Sequence, residues 1–263
     1  MQDKTAFPLD KTETKPLSFS VKNSTEIYVF NRLQNILKRL KNNKIKTAVL
    51  SQTACLLQKR VPEILGMSVD EFLSFMEDFL LDSVQALNKD MYEDNIPLLL
   101  VLKEQLLPTD KLLSLLEIDG QALKMEAPLP NDLMEVQERK RVAIKRNKAK
   151  KSPKKNISSK GIYLITDISL GLYMEGRSAS YLTYTINKCR KKMLTLQEGL
   201  FLVLYFPQKV KNFCIFCQAS KINDASVPSI YPKKGEYFFG YSNRFIEYPE
   251  GIMPYYLNPE ELP

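Results

Sequence analysis

The sequence predicts an α+β protein, mainly helical in its first half, with a small antiparallel sheet packed on a buried helix in its second. Three observations predict this class. Apolar residues recur at three- and four-residue intervals before residue 130, whereas alternating β-branched and aromatic segments collect after residue 160. An almost wholly apolar run, Leu196 to Phe206, follows a capping pair and stops at Pro207, so it has to be a helix buried on nearly every side. The expected organisation is a mobile arm at 1–23, a mainly helical region at 24–138, a basic tether at 139–160 and an α+β region at 161–263.

The arm carries Pro8 and Pro16 without periodicity. Ile27, Phe30, Leu33, Leu37 and Leu40 then share one helical face, with Arg32, Lys38, Arg39 and Lys41 off it. Ala48 to Gln58 reads as a second, shorter helix. Ser68 and Glu71 form a capping box that starts a helix at Val69, with Phe72, Met76, Phe79, Leu80, Val84 and Leu87 as its buried stripe. Ile96 to Leu102 has the length and apolarity of a buried strand. Thr109 is expected to cap a short helix reaching Leu116, Gly120 to mark a turn, and Asn131 to Val142 to add a helix before the tether.

In the second half, Gly161 to Ile168 alternates as a strand does. Ser178 to Lys191 reads as a helix ending in a basic turn, which suits the negative end of the helix dipole. Thr195 and Glu198 form the second capping box, launching the apolar helix. Asn212 to Ala219 and Pro228 to Tyr231 read as strands, and Lys233 to Glu236 supplies a turn before a strand at Tyr237 to Tyr241.

Composition removes several function classes. With 263 residues, 44% hydrophobic and 26% charged, the chain can bury a real core. No apolar run reaches the roughly 18 residues a membrane helix needs, and Asp3, Asp10 and Glu13 break the order of a secretory signal. Cys55, Cys189, Cys214 and Cys217 are too unevenly spaced for a disulfide framework. A cytoplasmic location is therefore expected, or a nuclear one in a eukaryote. The absence of histidine removes the usual general base and the commonest metal ligand, and with them histidine-dependent hydrolases and HExxH zinc enzymes. No two of the nine glycines are closer than five positions, so a dinucleotide fingerprint cannot be written, and no glycine is followed by the Lys-Ser/Thr pair that completes a P-loop.

The positive charge is concentrated. Between Arg139 and Lys155, ten of seventeen residues are Lys or Arg and none is acidic, so of the formal +8 the rest of the chain totals −2. Such a segment repels itself and extends, and it reads first as a solvated linker. Lys145, Arg146, Lys148, Lys150, Lys151, Lys154 and Lys155 are its candidate nucleic-acid contacts, resembling an import signal or a nonspecific arm.

Four other patterns touch chemistry. Cys214 and Cys217 have dithiol spacing, but they sit in an apolar stretch where burial raises thiol pKa, which favours core cysteines over a redox pair. Asp78 and Asp82 stand one helical turn apart and read as a solvated face before a metal site. Arg177, Lys188, Arg190, Lys191 and Lys192 could bind an anion, though a basic helix end explains the last four. Tyr237, Phe238, Phe239, Tyr241, Phe245, Tyr248, Tyr255 and Tyr256 are divided between core and a surface able to stack bases or anchor a protein, with core favoured.

Gly161-Ile-Tyr-Leu-Ile-Thr-Asp167, Leu194-Thr-Leu-Gln-Glu-Gly199, Pro207 and Val227-Pro228 together resemble an uncharacterised bacterial domain-of-unknown-function family. Gly66 to Phe72 and Asn95 to Leu98 fit the same pattern. The resemblance implies an architecture and no activity. The chain departs from the family's Gly-Ser-Arg-like stretch at Gln218 to Lys221 and lacks its tryptophans, and Lys140 to Lys155 reads as an insertion.

No catalytic residue, metal site or cofactor is assigned. The expected function is a non-catalytic interaction or adaptor module whose partner the sequence does not name, a protein being one candidate, with no membrane attachment. Its rivals are a nucleic-acid-associated protein using the basic tether for weak nonspecific binding, and an enzyme or ligand sensor without histidine chemistry.

Overall fold

Ser68 and Glu71 cap each other as expected: the Ser68 amide donates to Glu71 Oε2 at 2.8 Å and the Glu71 amide to Ser68 Oγ at 3.2 Å. These two bonds satisfy donors that a helix start leaves orphaned, and they hold the Glu71 carboxyl below its ordinary pKa. The computed structural model describes residues 31–32, 38, 43–83, 95–129, 134–135, 161–172, 175–188, 191–221, 223–248 and 251–257. The expected arm, most of the helix at Ile27 to Leu40, and the segment 136–160 lie outside them.

In chain order, helix α1 spans Asn43–Gln58, α2 Val61–Ile64 and α3 Val69–Ser83. Helix α1 starts five residues earlier than the sequence suggested, because Ile45 already lies on the stripe it shares with Ala48, Val49, Gln52 and Leu56, all buried. Strand β1 (Ile96–Leu102) leads to α4 (Thr109–Ser114). Thr109 is not the cap: Pro108 holds that position, and the Thr109 hydroxyl turns inward to Gln197 Oε1 at 3.0 Å. Four two-residue strands follow: β2 Glu117–Ile118, β3 Gln121–Ala122, β4 Lys124–Met125 and β5 Met134–Glu135. Strand β5 stands where a helix was expected, because its pairing partner lies far along the chain.

Beyond the basic segment come β6 (Ile162–Ile168), α5 (Ala179–Lys188), β7 (Lys191–Met193), α6 (Leu196–Tyr205) and α7 (Pro207–Val210). Lys188 closes α5 as the expected basic last turn, Cys189 and Arg190 lie outside the described residues, and Lys191 belongs to strand β7 rather than to the helix. Strands β8 (Cys214–Phe216), β9 (Ser220–Lys221), β10 (Ser226–Lys233), β11 (Glu236–Asn243), β12 (Gly251–Ile252) and β13 (Tyr255–Leu257) complete the chain. Lys234 and Gly235 both have positive φ, 54° and 79°, the geometry of a two-residue hairpin turn matched to strand twist.

Strands from both sides of the basic segment pair with one another. Strand β1 runs antiparallel to β6, with Leu98 opposite Thr166 and Leu102 opposite Ile162. Strand β5 pairs with β9. The five-stranded sheet has the order β12-β8-β10-β11-β4, an antiparallel centre with a parallel strand on each edge.

That sheet separates two cores, because successive strand residues face opposite sides. On β8, Ile215 joins the main cluster while Cys214 and Phe216 join a smaller one. The main core takes α1, α3, β1, β6 and α6, and residues 196 to 204 of α6 are all buried. The small core holds Ala179, Leu182 and Ile186 of α5 against Phe216, Val227, Met253 and Tyr255. Among the described residues, no helix is long and apolar enough to cross a membrane.

Candidate functional site

The basic residues Lys145, Arg146, Lys148, Lys150, Lys151, Lys154 and Lys155 lie outside the described residues, as do Cys189 and Arg190 and the side chains of Asp78, Asp82 and Tyr256. Cys214 and Cys217 are both buried. Burial, with Glu198 and Cys214 nearby, pushes the Cys217 thiol far above its ordinary pKa, opposite to what a reactive thiol needs. Lys191 is engaged inside the fold: its Nζ lies 4.2 Å from the Tyr255 ring centroid and donates to the Tyr255 hydroxyl at 3.1 Å. Of the C-terminal aromatics, Phe239 and Tyr255 are core, Tyr237, Phe238, Tyr241 and Tyr248 are half-buried, and Phe245 is exposed.

The polar clusters of the interior hold segments together. Gln197 Nε2 donates to the carbonyls of Leu102 and Leu107 at 3.1 and 2.9 Å, fastening α6 to the end of β1. Glu198 accepts from the Thr195 amide at 2.7 Å and from the Tyr163 hydroxyl at 3.0 Å, completing the second capping box. On the surface, Glu126 receives Tyr231 and Lys233, and Asp119 receives Gln208 at 2.7 Å with Lys211 and Tyr237 each at 3.4 Å. The Gln208 and Lys211 contacts lower the Asp119 pKa, and partial burial beside Asp119 raises that of Tyr237. Among the described residues no group of three or more His, Cys, Asp or Glu could hold a metal ion.

A different surface emerges on α5. At about 100° per residue, Ala179, Leu182 and Ile186 fall on the buried side. Tyr181, Tyr184 and Lys188, spaced by three and four, form a row on the opposite side, and Arg177, two residues before the helix, joins it beside Tyr181. Tyr184 is 67% exposed and Tyr181 53%, on the face where a helix of this kind ordinarily carries short polar groups. The Arg177 guanidinium lies 5.7 Å from the Tyr181 ring centroid and 4.0 Å from a Glu247 oxygen.

The turn after β11 abuts the first turn of this helix, the Ser180 amide donating to the Arg244 carbonyl at 2.8 Å. There Phe245 is 63% exposed and Ile246 52%. The Arg244 guanidinium sits 5.6 Å from the Phe245 centroid, with one NH donating to the Asp224 carbonyl at 3.3 Å and its buried Nε without a hydrogen-bond partner among the described residues.

The family of unknown function DUF5701 matches residues 55–237. The chain belongs to that family. The DUF5701 match runs across the basic segment and takes in α5 with Tyr181 and Tyr184, but stops before Phe245 and Ile246. It contains the Leu194 to Gly199 and Gly161 to Asp167 stretches, and the structure explains one glycine in them: a Cβ on Gly199 would stand 2.3 Å from Cys217 Sγ. No curated protein and no solved structure matches the chain.

Sequence reasoning named Arg177 and Lys188 as anion candidates but passed over Tyr181 and Tyr184. Their signal was angular: both fall opposite Ala179, Leu182 and Ile186 once the helix is drawn in projection.

Proposed function

We propose that this DUF5701 protein is a non-catalytic interaction module that meets its partner through the outward face of α5 and the adjoining Arg244–Ile246 turn. One observation carries the reading. Of the eight exposed large hydrophobic side chains among the described residues, the four most exposed, Tyr184, Phe245, Tyr181 and Ile246, lie on two segments joined by the Ser180–Arg244 bond. Burying such a side chain gains about 1.5–3 kcal/mol, and aromatic rings beside arginines are the side chains that dominate binding surfaces. The face offers stacking, positive charge and hydrogen bonding. Free thiols at Cys55 and Cys217 fit a cytoplasmic site of action.

The test is photo-crosslinking in cells, with the reactive residue placed at Tyr184 or, as control, at exposed Lys111 on α4. A discrete adduct is expected from position 184 alone and should disappear in a Phe245→Ala background. No adduct at 184, together with a metabolite that raises the melting temperature by several degrees, would favour the sensor or enzyme rival instead.

The concentration of charge at Arg139 to Lys155 supports a second reading, nonspecific nucleic-acid association through that segment. Such binding to duplex DNA weakens with salt at a log–log slope of about −0.9 per neutralised phosphate. Replacing the ten cations by Gln should abolish it without moving the melting temperature. Duplex affinity unchanged by that replacement would rule it out.

A further inference from the structure

We propose that the outward face of α5 binds single-stranded nucleic acid, its bases stacking on Tyr181 and Tyr184 and its phosphates meeting Arg177 and Lys188. This rests on reading the same face as the contact surface, and it names the partner's chemistry.

The row alternates in kind: a cation, two aromatic rings, a cation. Tyr181 and Lys188 are about 10 Å apart along the helix axis, at 1.5 Å per residue, and Arg177, placed over the Tyr181 ring, extends the row past its first turn. The two tyrosines are about 4.5 Å apart along it. That is close enough for neighbouring bases to lie on neighbouring rings.

Charge selects the polyanion. From Ala179 to Lys192 the chain has no acidic residue, and Lys188 stands exposed at the end of the helix. Glu247, which pairs with Arg177 at 4.0 Å, puts its negative charge at the Arg177 end of the row. Phe245 on the adjoining turn, with the Arg244 guanidinium near its ring, adds a third apolar surface beside the first helical turn. Duplex is the wrong partner for this face, because its base faces are already stacked on one another and cannot reach rings on a convex helix. Single strands leave each base a free π-face, and such stacking is tolerant of sequence.

The test measures binding of labelled 12-nucleotide single-stranded RNA and DNA, and of a duplex of the same sequence, to the full chain. The background is one in which the ten cations of Arg139 to Lys155 are replaced by Gln, so that only the folded surface reports. Single strands of one or both sugars are expected to bind at least about tenfold tighter than duplex. Tyr181→Ala with Tyr184→Ala should weaken single-strand binding by at least about tenfold, whereas Tyr181→Phe with Tyr184→Phe should keep most of it. Arg177→Gln with Lys188→Gln should flatten the salt slope by about 1.4, at about 0.7 per phosphate. Melting temperatures should stay put, since these side chains are exposed.

Single-strand affinity indifferent to the two alanines overturns the proposal, and so does equal affinity for duplex. A crosslink from position 184 to a protein alone also overturns it, while leaving the interaction-module reading standing. The absence of any crosslink removes both.

Discussion

The side-chain amide of Gln52 donates to the carbonyl of Leu98 across 2.7 Å, deep in the main core. Its oxygen accepts from the Leu100 amide at 2.8 Å, so a single glutamine on α1 takes the place of a neighbouring strand along the edge of β1 that β6 leaves open. Gln52→Leu strands a buried carbonyl and a buried amide, at about 1–3 kcal/mol each. Urea unfolding should therefore show a loss of about 2–6 kcal/mol. A loss below about 1 kcal/mol would mean that water reaches this edge.

Gly199 sits inside α6, where glycine is ordinarily unfavourable by about 1 kcal/mol relative to alanine. The space beside it is taken by Cys217, and a Cβ there would be 2.3 Å from the sulfur. Gly199→Ala is expected to destabilise despite its helix propensity, by about 1–3 kcal/mol from overpacking. Adding Cys217→Ala removes the sulfur and should recover most of that loss. Additive costs in the double variant would show that the two residues do not compete for one volume.

Alkaline pH should weaken the fold. Burial raises the Cys217 thiol and the Tyr205 hydroxyl above their ordinary values, so the native state favours the neutral forms. Their contribution is whole below the unfolded values, about 8.5 for Cys and about 10 for Tyr, and falls as pH rises past them, because only the unfolded chain ionises. Denaturation midpoints at several pH values should decline above about pH 8.5. In the Gly199→Ala/Cys217→Ala protein that decline should be shallower, by up to about 1.4 kcal/mol per pH unit. Alkylation of the native wild type near neutral pH should leave Cys214 and Cys217 unmodified, and rapid labelling of either would contradict their burial.

The pairing of β1 with β6, and of β5 with β9, makes the two sides of the basic segment parts of one core. Residues 1–138 and 156–263, produced together as separate polypeptides, should copurify in equal amounts and unfold in one transition. Each piece alone would expose one strand of the β1–β6 pair and part of the main core, and should aggregate. Independent solubility of both pieces with no association would refute a shared core.

Local features were legible from the sequence because their causes lie within a few residues. The capping boxes at Ser68 and Thr195, the strand at Ile96–Leu102, the Lys234-Gly235 turn and the all-round burial of α6 each follow from side-chain type at short spacing. The membership of Tyr181 and Tyr184 on the outer side of α5 was legible too, once Ala179, Leu182 and Ile186 define the inner one.

Which strand pairs with which was decided only in three dimensions. Strands β4 and β5 are two residues long, too short for any period, and exist because β11 and β9 offer them hydrogen bonds from about a hundred residues away along the chain. Thr109 is a competent cap by type, yet it points to Gln197 because α6 lies there. The exposed face of α5 became a surface with Phe245 and Ile246 only through the Ser180–Arg244 bond. Sequence spacing determines what a segment can form; the bonds and apolar area available from distant segments determine which of those options lowers the free energy of the whole.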